Sequence, residues 1–567
     1  MKIERVDDIP LLIATFEKSH LRNLINEHFP DHGNWRGADG GTVLISFLTY
    51  VLSMSDHRLS HVESWGADRI ETLRHCLDTP ALSSKDLTDD KLGLLLDRLS
   101  DKDKWTAFEA THNKMMINVY SLGLEDHPVR LDSFITQSHR LPGEDFKLGF
   151  SKQHRDDLPQ LKSMVATLDP LAMPLYSVTV PGNTSDDDLY LPVINELTEK
   201  LPLKNQLFVG DSKMGNTKIR HYLQSQGHYY LAPLNRKQCL QTEVVKYLDQ
   251  KPEVLTTLWD NSGKEPQIKA EAFEIAYLMS DDKSKDSWQE RRILVYSPAY
   301  AKRFKAKHDD KIKKTQEALD LILVAKKGRQ VPKNRTQLNV KVDKVLSKYQ
   351  MHKYFDIKVS EQIEERHIQR HLDRPERTEL ISHFTLECTV NEAASEEYVK
   401  KAGWQIYATN APATLLNTKQ AVSCYRNEYK IEHKFNELLN KITALMPVYL
   451  KKPNRIKALI QLLLLGLKYV SAIEFQVRKK LEVTGQKLNN IYPGNPGRST
   501  DKPTFKMLLK VFGNISLALI KGEQKRVFQI TELDPIHLKI LDLMGLEKET
   551  YYSFDKHVPS NPVFSET

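Results

Sequence analysis

The stretch HPVRLDSFIT, residues 127–136, decides the fold. The character of the chain changes at His127. Upstream, apolar residues recur every three or four positions. Downstream come short strand-like runs separated by turn residues: this one, then FKLGFS (146–151) and PLYSVTVPG (174–182). Ser185 followed by Asp186, Asp187 and Asp188 reads as a helix cap with an acidic first turn that complements the helix dipole, leading into LYLPVINELTEKL (189–201). The strand QLFVGD (206–211), the helix NTKIRHYLQSQ (216–226) and the strand HYYLAPL (228–234) follow. The order is β-β-β-α-β-α-β.

Working outward, residues 1–125 read as a helical region. The pattern is clear in TVLISFLTYVLSM (42–54) and DKLGLLLDRL (90–99), with Thr88 as an N-cap and breaks at Gly40-Gly41 and near Pro80. Residues 126–234 form the first part of the core, 235–400 a basic β-rich insertion, 401–475 the second part of the core and 476–567 a C-terminal region. Within the insertion EAFEIAYLM, RRILVYS, YFDIKV and HFTLECTV look like strands around a basic helix. GWQIYATN (403–410) is a further strand. One long helix is expected from Asn417 through Met446 and another over 455–481. No repeat or low-complexity tract stands out.

The chain has 567 residues, 40% of them hydrophobic and 28% charged, an ordinary soluble globular composition. Its start lacks the long apolar core of a secretory signal. The most apolar stretch, 458–473, is interrupted by Gln461, Gly466 and Lys468, so a buried core helix is expected rather than a membrane span. Four well-separated cysteines give no CxxC pair and point to a reducing compartment. The net charge is +8, from 82 basic and 74 acidic residues. Residues 301–350 alone hold 15 Lys+Arg against 5 Asp+Glu, including Lys311, Lys313 and Lys314. Such a block suits an anionic polymer, nucleic acid first, although DDKIKKTQEALDLIL also reads as an amphipathic helix with a solvated face.

Asp132 ends the apolar approach Val129-Arg130-Leu131, and Asp211 ends Leu207-Phe208-Val209-Gly210. A carboxylate at a strand exit is rigidly mounted yet reaches solvent. The strand order fits a ribonuclease-H-like core, in which the first and fourth strands lie side by side and bring these two together. Glu432 in YKIEHKF is the candidate third acid, from a later helix. Three carboxylates suit two hard Mg²⁺ ions, with Mn²⁺ as a substitute, which clamp the attacking and leaving oxygens of an in-line phosphoryl displacement.

Asp132, Asp211 and Glu432 resemble the DDE triad of insertion-sequence transposases, in the clan whose third acid lies in a Tyr-x2-Arg-x3-Glu-x6-Lys signature. YRNEYKIEHKF (425–435) is similar to that block. LGFSKQHRDDLPQLK (148–162), GDSKMGN (210–216), GWQIYATNAP (403–412), LMPVYLKKPNRIKALI (445–460) and ILDLMGLEKETYY (540–552) resemble the family 1634 branch. The resemblance implies a prokaryotic, cytoplasmic, nucleoid-associated enzyme. It would nick DNA at terminal inverted repeats and join the ends to target DNA, acting as a homodimer on paired ends, with its N-terminal region recognising the repeats and no membrane partner. It implies DNA-backbone contacts from Tyr425 and neighbouring cations. Glu428 stands where the signature has arginine and Leu439 where it has lysine, so Arg426 and Lys434, or Lys441, are the substitutes. Glu428 is expected to turn away from phosphate or to pair with a cation such as Arg426. Lys213 is a further candidate phosphate contact. The alternatives are a nuclease with the same core that does not join ends, and a decayed or domesticated copy that only binds DNA.

Lesser candidates have plainer readings. Glu364, His367 and His371 give His-x3-His on an expected helix, read as a solvated face because Ile368 stands where a zinc protease needs glutamate. Cys424 reads as a buried thiol. Trp288 reads as insertion core, with stacking on an unpaired base as the alternative.

Overall fold

The computed structural model describes residues 1–559 except 125, 140–141, 144, 152–154, 236, 240, 261–266, 281–284, 326–329, 370–375 and 522–524. The chain forms two compact units. One comprises Met1–Ala232, Ser280–Asp286 and Ser423–Thr567; the other comprises Pro233–Met279 and Ser287–Val422.

The first unit opens with strand β1 (Lys2–Arg5), a short element that the helical reading of the N-terminus misses. Helices follow, among them Ile9–Lys18, Gly40–Met54, Asp89–Leu99 and Lys102–Tyr120. Thr88 caps the third as expected, its hydroxyl accepting from Lys91 N. Gly40 and Gly41 start a helix rather than break one: Asp39 caps it, and a Cβ on Gly41 would lie 2.6 Å from the Arg22 carbonyl oxygen.

The mixed sheet of this unit contains β2 (Val129–Gln137), β3 (Gln160–Leu168), β4 (Met173–Pro181), β5 (Leu207–Gly210) and β6 (Tyr229–Pro233), in the order β4-β3-β2-β5-β6. β2–β3 and β3–β4 pair antiparallel, β2–β5 and β5–β6 parallel. FKLGFS does not form a strand; it contributes one isolated bridge, Lys147 with Gln160. The helices Tyr190–Lys200 and Thr217–Ser225 lie where the pattern places them. The helix Pro453–Thr484 is long and apolar enough to cross a membrane by length and composition, yet 89% of its apolar window is buried. Its Lys468 is matched inside: the ammonium donates to Asn113 Oδ1 at 2.6 Å, with Glu109 4.0 Å away.

In the second unit β7 (Thr256–Asp260), β8 (Gln267–Ser280) and β9 (Ser287–Tyr296) lie in a sheet with the later strand Trp404–Thr409. β10 (Phe355–Ile368) and β11 (Arg377–Val390) form a separate two-stranded ribbon, and Trp404–Thr409 is β12. Trp288 is buried in this unit, as the packing reading requires. Glu364 and His367 lie on strand β10, not on a helix. Their odd spacing points them to opposite faces, Glu364 pairing with His383 and His367 with Thr378, so they do not converge on an ion. His371 lies outside the described residues. Back in the first unit, β13 (Ser516–Lys521), β14 (Lys525–Ile530) and β15 (Lys556–Pro559) complete a four-stranded sheet with β1.

The three-aspartate run has a role that helix-dipole complementation does not describe. Ser185 makes no side-chain cap, and Asp186 is buried. Its carboxylate takes Lys162 at 2.8 Å, the Lys213 ammonium, and the Ser133 hydroxyl at 3.4 Å. Burial alone would raise its pKa, but the two ammonium groups outweigh burial and hold it below the usual aspartate value. A depressed carboxylate stabilises the fold above its unfolded-state pKa and loses that contribution as the pH falls through its folded-state value. Asp186→Asn is therefore expected to cost about 2 kcal/mol at pH 7. In urea titrations, the gap between parent and variant closes as the pH falls below the ordinary aspartate value of 3.8. A gap that does not narrow at all between about pH 5 and pH 2 would show that the carboxylate's charge contributes nothing.

Candidate active site

The site begins with a register. On the parallel pair β2–β5, Leu131 lies opposite Gly210, so the next residue on each strand is an aspartate: Asp132 and Asp211. Neighbouring strands are about 4.8 Å apart, so the two carboxylates leave the sheet side by side. Gly210 lies close against the Met214 side chain. The chain folds back beneath it at once, and a Cβ would lie 2.7 Å from Met214 Sδ. The Asp211 Oδ1 accepts from the Tyr190 hydroxyl at 2.7 Å and from Lys213 N at 2.9 Å. Tyr190 is buried; burial, then the charges of Asp211, Asp132 and Asp186, push its phenol well above the usual range and keep it a donor.

The segment carrying the third acid lies over the same face of β2. Side chains two apart on a strand share a face, so Arg130, Asp132 and Phe134 point together. Arg130 is ion-paired to Asp169 at 2.7 Å and also donates to the Cys424 carbonyl oxygen at 2.7 Å. Phe134 packs on Phe435, ring centroids 5.1 Å apart. Asp132, between those two anchors, faces the middle of residues 424–435, which is where Glu428 and Glu432 lie. The single long helix expected from Asn417 is not continuous. Thr418–Arg426 ends, Tyr429–Asn436 restarts, and a π-helical turn covers Glu437–Lys441. At the break, Glu428 N donates to Tyr425 O and Lys430 N to Asn427 O, both at 3.0 Å, three-residue spacings in place of four.

Glu428 does not face away from the site. It is half-buried. Burial raises its carboxyl pKa, a hydrogen bond from the Tyr425 side chain lowers it, and the charges of Asp132, Asp211 and Glu432 raise it further. Tyr425 is thus directed at a carboxylate. Arg426 is half-buried at the end of its helix. Lys434 is not a surface cation: it is buried, paired with Glu437 at 2.7 Å and Glu474 at 3.4 Å, which takes it out of phosphate contact. Lys213 stands beside Asp211 at the edge of the site with its ammonium on Asp186. In the second unit, Lys311, Lys313 and Lys314 lie on the helix Pro298–Asp320. Lys313 and Lys314 are exposed, Lys311 is half-buried, and Lys314 pairs with Asp310 at 2.8 Å. Cys424 is half-buried beside Arg130, and burial pushes its thiol upward.

Sequence reasoning misses Tyr190, Lys162 and the inward aim of Glu428. Each depends on which face a side chain takes relative to a distant element, and no local pattern encodes that.

Two family models match the chain. A domain of unknown function (DUF4277) covers residues 1–111, and the transposase DDE domain covers 131–467, a span that contains Asp132, Asp211 and Glu432. No curated protein matches. Among solved structures, a piggyBac transposase synaptic complex with hairpin DNA is similar at 10% identity and a TM-score of 0.25, over 61% of this chain and 81% of that one. At that score the likeness carries no argument about fold or ligand. The DDE match spans more than half of the chain, and on that ground this protein belongs to the transposase DDE domain family.

Proposed function

We propose that this protein cleaves DNA at the terminal inverted repeats of an insertion sequence and joins the ends to target DNA, with Asp132, Asp211 and Glu432 as its reaction centre. The observation that carries the reading is the arrival of Asp132 and Asp211 on paired parallel strands beneath the segment bearing Glu432. The strand order β4-β3-β2-β5-β6, with β2 and β5 parallel, supports a ribonuclease-H-like core.

The donor set fits a divalent cation. All donors are hard carboxylate oxygens, the ligand type that Mg²⁺ and Mn²⁺ take. Among the described residues no group of three or more His, Cys, Asp or Glu side chains is placed to hold a metal ion, so the pair of Mg²⁺ ions rests on the chemistry of the donors alone and belongs to the proposal. When bound, such ions polarise the scissile phosphate and stabilise the attacking and leaving oxygens. The chain's own part is positioning. Tyr190 fixes the orientation of Asp211. Lys213 presents a cation at the rim, where a phosphate would approach. The carboxylates hold charge and need transfer no proton. The basic helix Pro298–Asp320 supplies affinity for the DNA backbone independent of sequence. Two copies acting on paired ends complete the reading.

An assay on a terminal-repeat fragment with Mg²⁺ tests it, reading nicking, strand transfer and binding separately. Asp132→Asn, Asp211→Asn and Glu432→Gln should each abolish nicking and joining while end binding persists, because phosphate contacts carry most of the affinity. In the same assay, reversing Lys311, Lys313 and Lys314 should lower the log–log salt slope of binding by about 0.9 per lost phosphate contact. Robust Mg²⁺-dependent nicking by any of the three acid variants removes that residue from the centre. Nicking without joining in the parent turns the reading into a nuclease, and an unchanged salt slope makes the basic helix a solvated face.

A further inference from the structure

Beside Glu432, the helix Tyr429–Asn436 lines a cavity of about 850 Å³. Lys430 and His433 come from that helix, Arg478 from the last turns of the helix Pro453–Thr484, and Lys487 and Lys502 from the loop that follows it. Two acids of the lining are already taken: Glu437 and Glu474 hold Lys434, and Glu474 also takes Arg478 at 3.2 Å. Lys430 has no such match. It is half-buried, and among the described residues its ammonium has no ion-pair or hydrogen-bond partner. Asp169, whose charge reaches it, is held by Arg130 at 2.7 Å. Lys502 adds a like charge from across the lining. We propose that this cavity holds the backbone of one DNA strand as it leaves the reaction centre, with Lys430 and Lys502 as its phosphate contacts.

Three features support this. The first is charge. A half-buried ammonium without a counterion is unfavourable, and a second cation nearby makes it more so. Burial, then the Lys502 charge, accordingly lowers the Lys430 pKa, and Asp169 only partly offsets them. A phosphate oxygen supplies the missing anion for both lysines. The remaining acids of the lining, Glu482 and Asp501, are exposed and stay solvated by water, so they do not relieve Lys430. The second is position. Lys430 lies two residues before Glu432 and His433 directly after it, on a helix that Phe134 anchors through Phe435. A strand in the cavity therefore lies within about one helical turn of the third acid. Lys434, on the same helix, is turned inward onto Glu437 and Glu474, and Lys430 offers the cation that Lys434 withholds. The third is size. A cube of 850 Å³ is about 9.5 Å on an edge, whereas the major groove of B-DNA alone is about 12 Å wide, so a single strand enters and a duplex does not.

The inference rests on reading this protein as a transposase acting at DNA ends, and the test separates the two. Fluorescent terminal-repeat duplexes are titrated with the full-length protein without divalent metal, so that nothing is cut. One duplex is blunt at the repeat boundary; two others carry a single-stranded extension there, on the 3′ or the 5′ side. The parent should bind one extended duplex more tightly than the blunt one, with a log–log salt slope steeper by about 0.7 per added phosphate contact, about 1.4 for two. The double variant Lys430→Gln/Lys502→Gln should lose that increment. If the variant keeps it, or if neither extension gives one in the parent, the cavity holds no strand and the transposase reading stands without it. If the parent binds the repeat no better than a scrambled duplex and gains nothing from an extension, the reading falls and this inference with it. Circular dichroism checks the fold. Should the double variant fail to fold, the exposed Lys502→Gln alone decides: an increment smaller by about 0.7 upholds the proposal and an unchanged one overturns it.

Discussion

The site depends on one register. Leu131 opposite Gly210 on a parallel strand pair puts two aspartates side by side, Asp132 within β2, which runs on to Gln137 and so does not end at the aspartate as expected, and Asp211 at the exit of β5. Because side chains alternate along a strand, a slip of one residue on either strand would send one carboxylate to the opposite face. The register is strongly specified. β2 is buried at nearly every position, and Gly210 leaves room only for the close passage of Met214. The like charges that result are tolerated because neighbours orient and screen them. Tyr190 holds Asp211, and Lys162 and Lys213 neutralise Asp186 behind it.

The second constraint is the segment laid across that face. A continuous helix over 417–446 would present its side chains in one fixed rotation. The tight turn at Asn427–Glu428 resets that rotation just before Glu432, while Arg130 and Phe134 fix the position of the segment. Irregular helical turns at a functional site are a common form of local adjustment. Here the break and the π-helical turn at Glu437–Lys441 flank the helix Tyr429–Asn436 on both sides. Lys434 illustrates the consequence. On that helix it faces inward, where Glu437 and Glu474 take its charge, and so it is lost as a contact for DNA.

Strands β2 and β4–β6 and the helices between them were readable from apolar runs ending in turn residues, and Asp132 and Asp211 because each follows an apolar run, although Asp132 lies within β2 and only Asp211 at a strand end. Those signals are local. FKLGFS failed as a strand because its composition matches but its partners supply only one bridge. β1 was missed because it is short and pairs with β13 more than five hundred residues away, and β13 and β14 because each is only six residues long. The His367 motif was assigned to a helix because His-x3-His has helical spacing, while the surrounding β-ribbon is fixed by cross-strand partners. Asp186 looked like a dipole charge because its true partners, Lys162 and Lys213, lie on other elements. Glu428 was visible as a departure from the signature, but its direction follows only from the two pins on β2.

Anomalous diffraction from crystals of the protein grown with Mn²⁺ tests the central claim most directly, because it locates the ions without reference to activity. The account predicts Mn²⁺ between Asp132 and Asp211, on the side facing Glu432. Anomalous peaks elsewhere, with none at these carboxylates under saturating Mn²⁺, would contradict it.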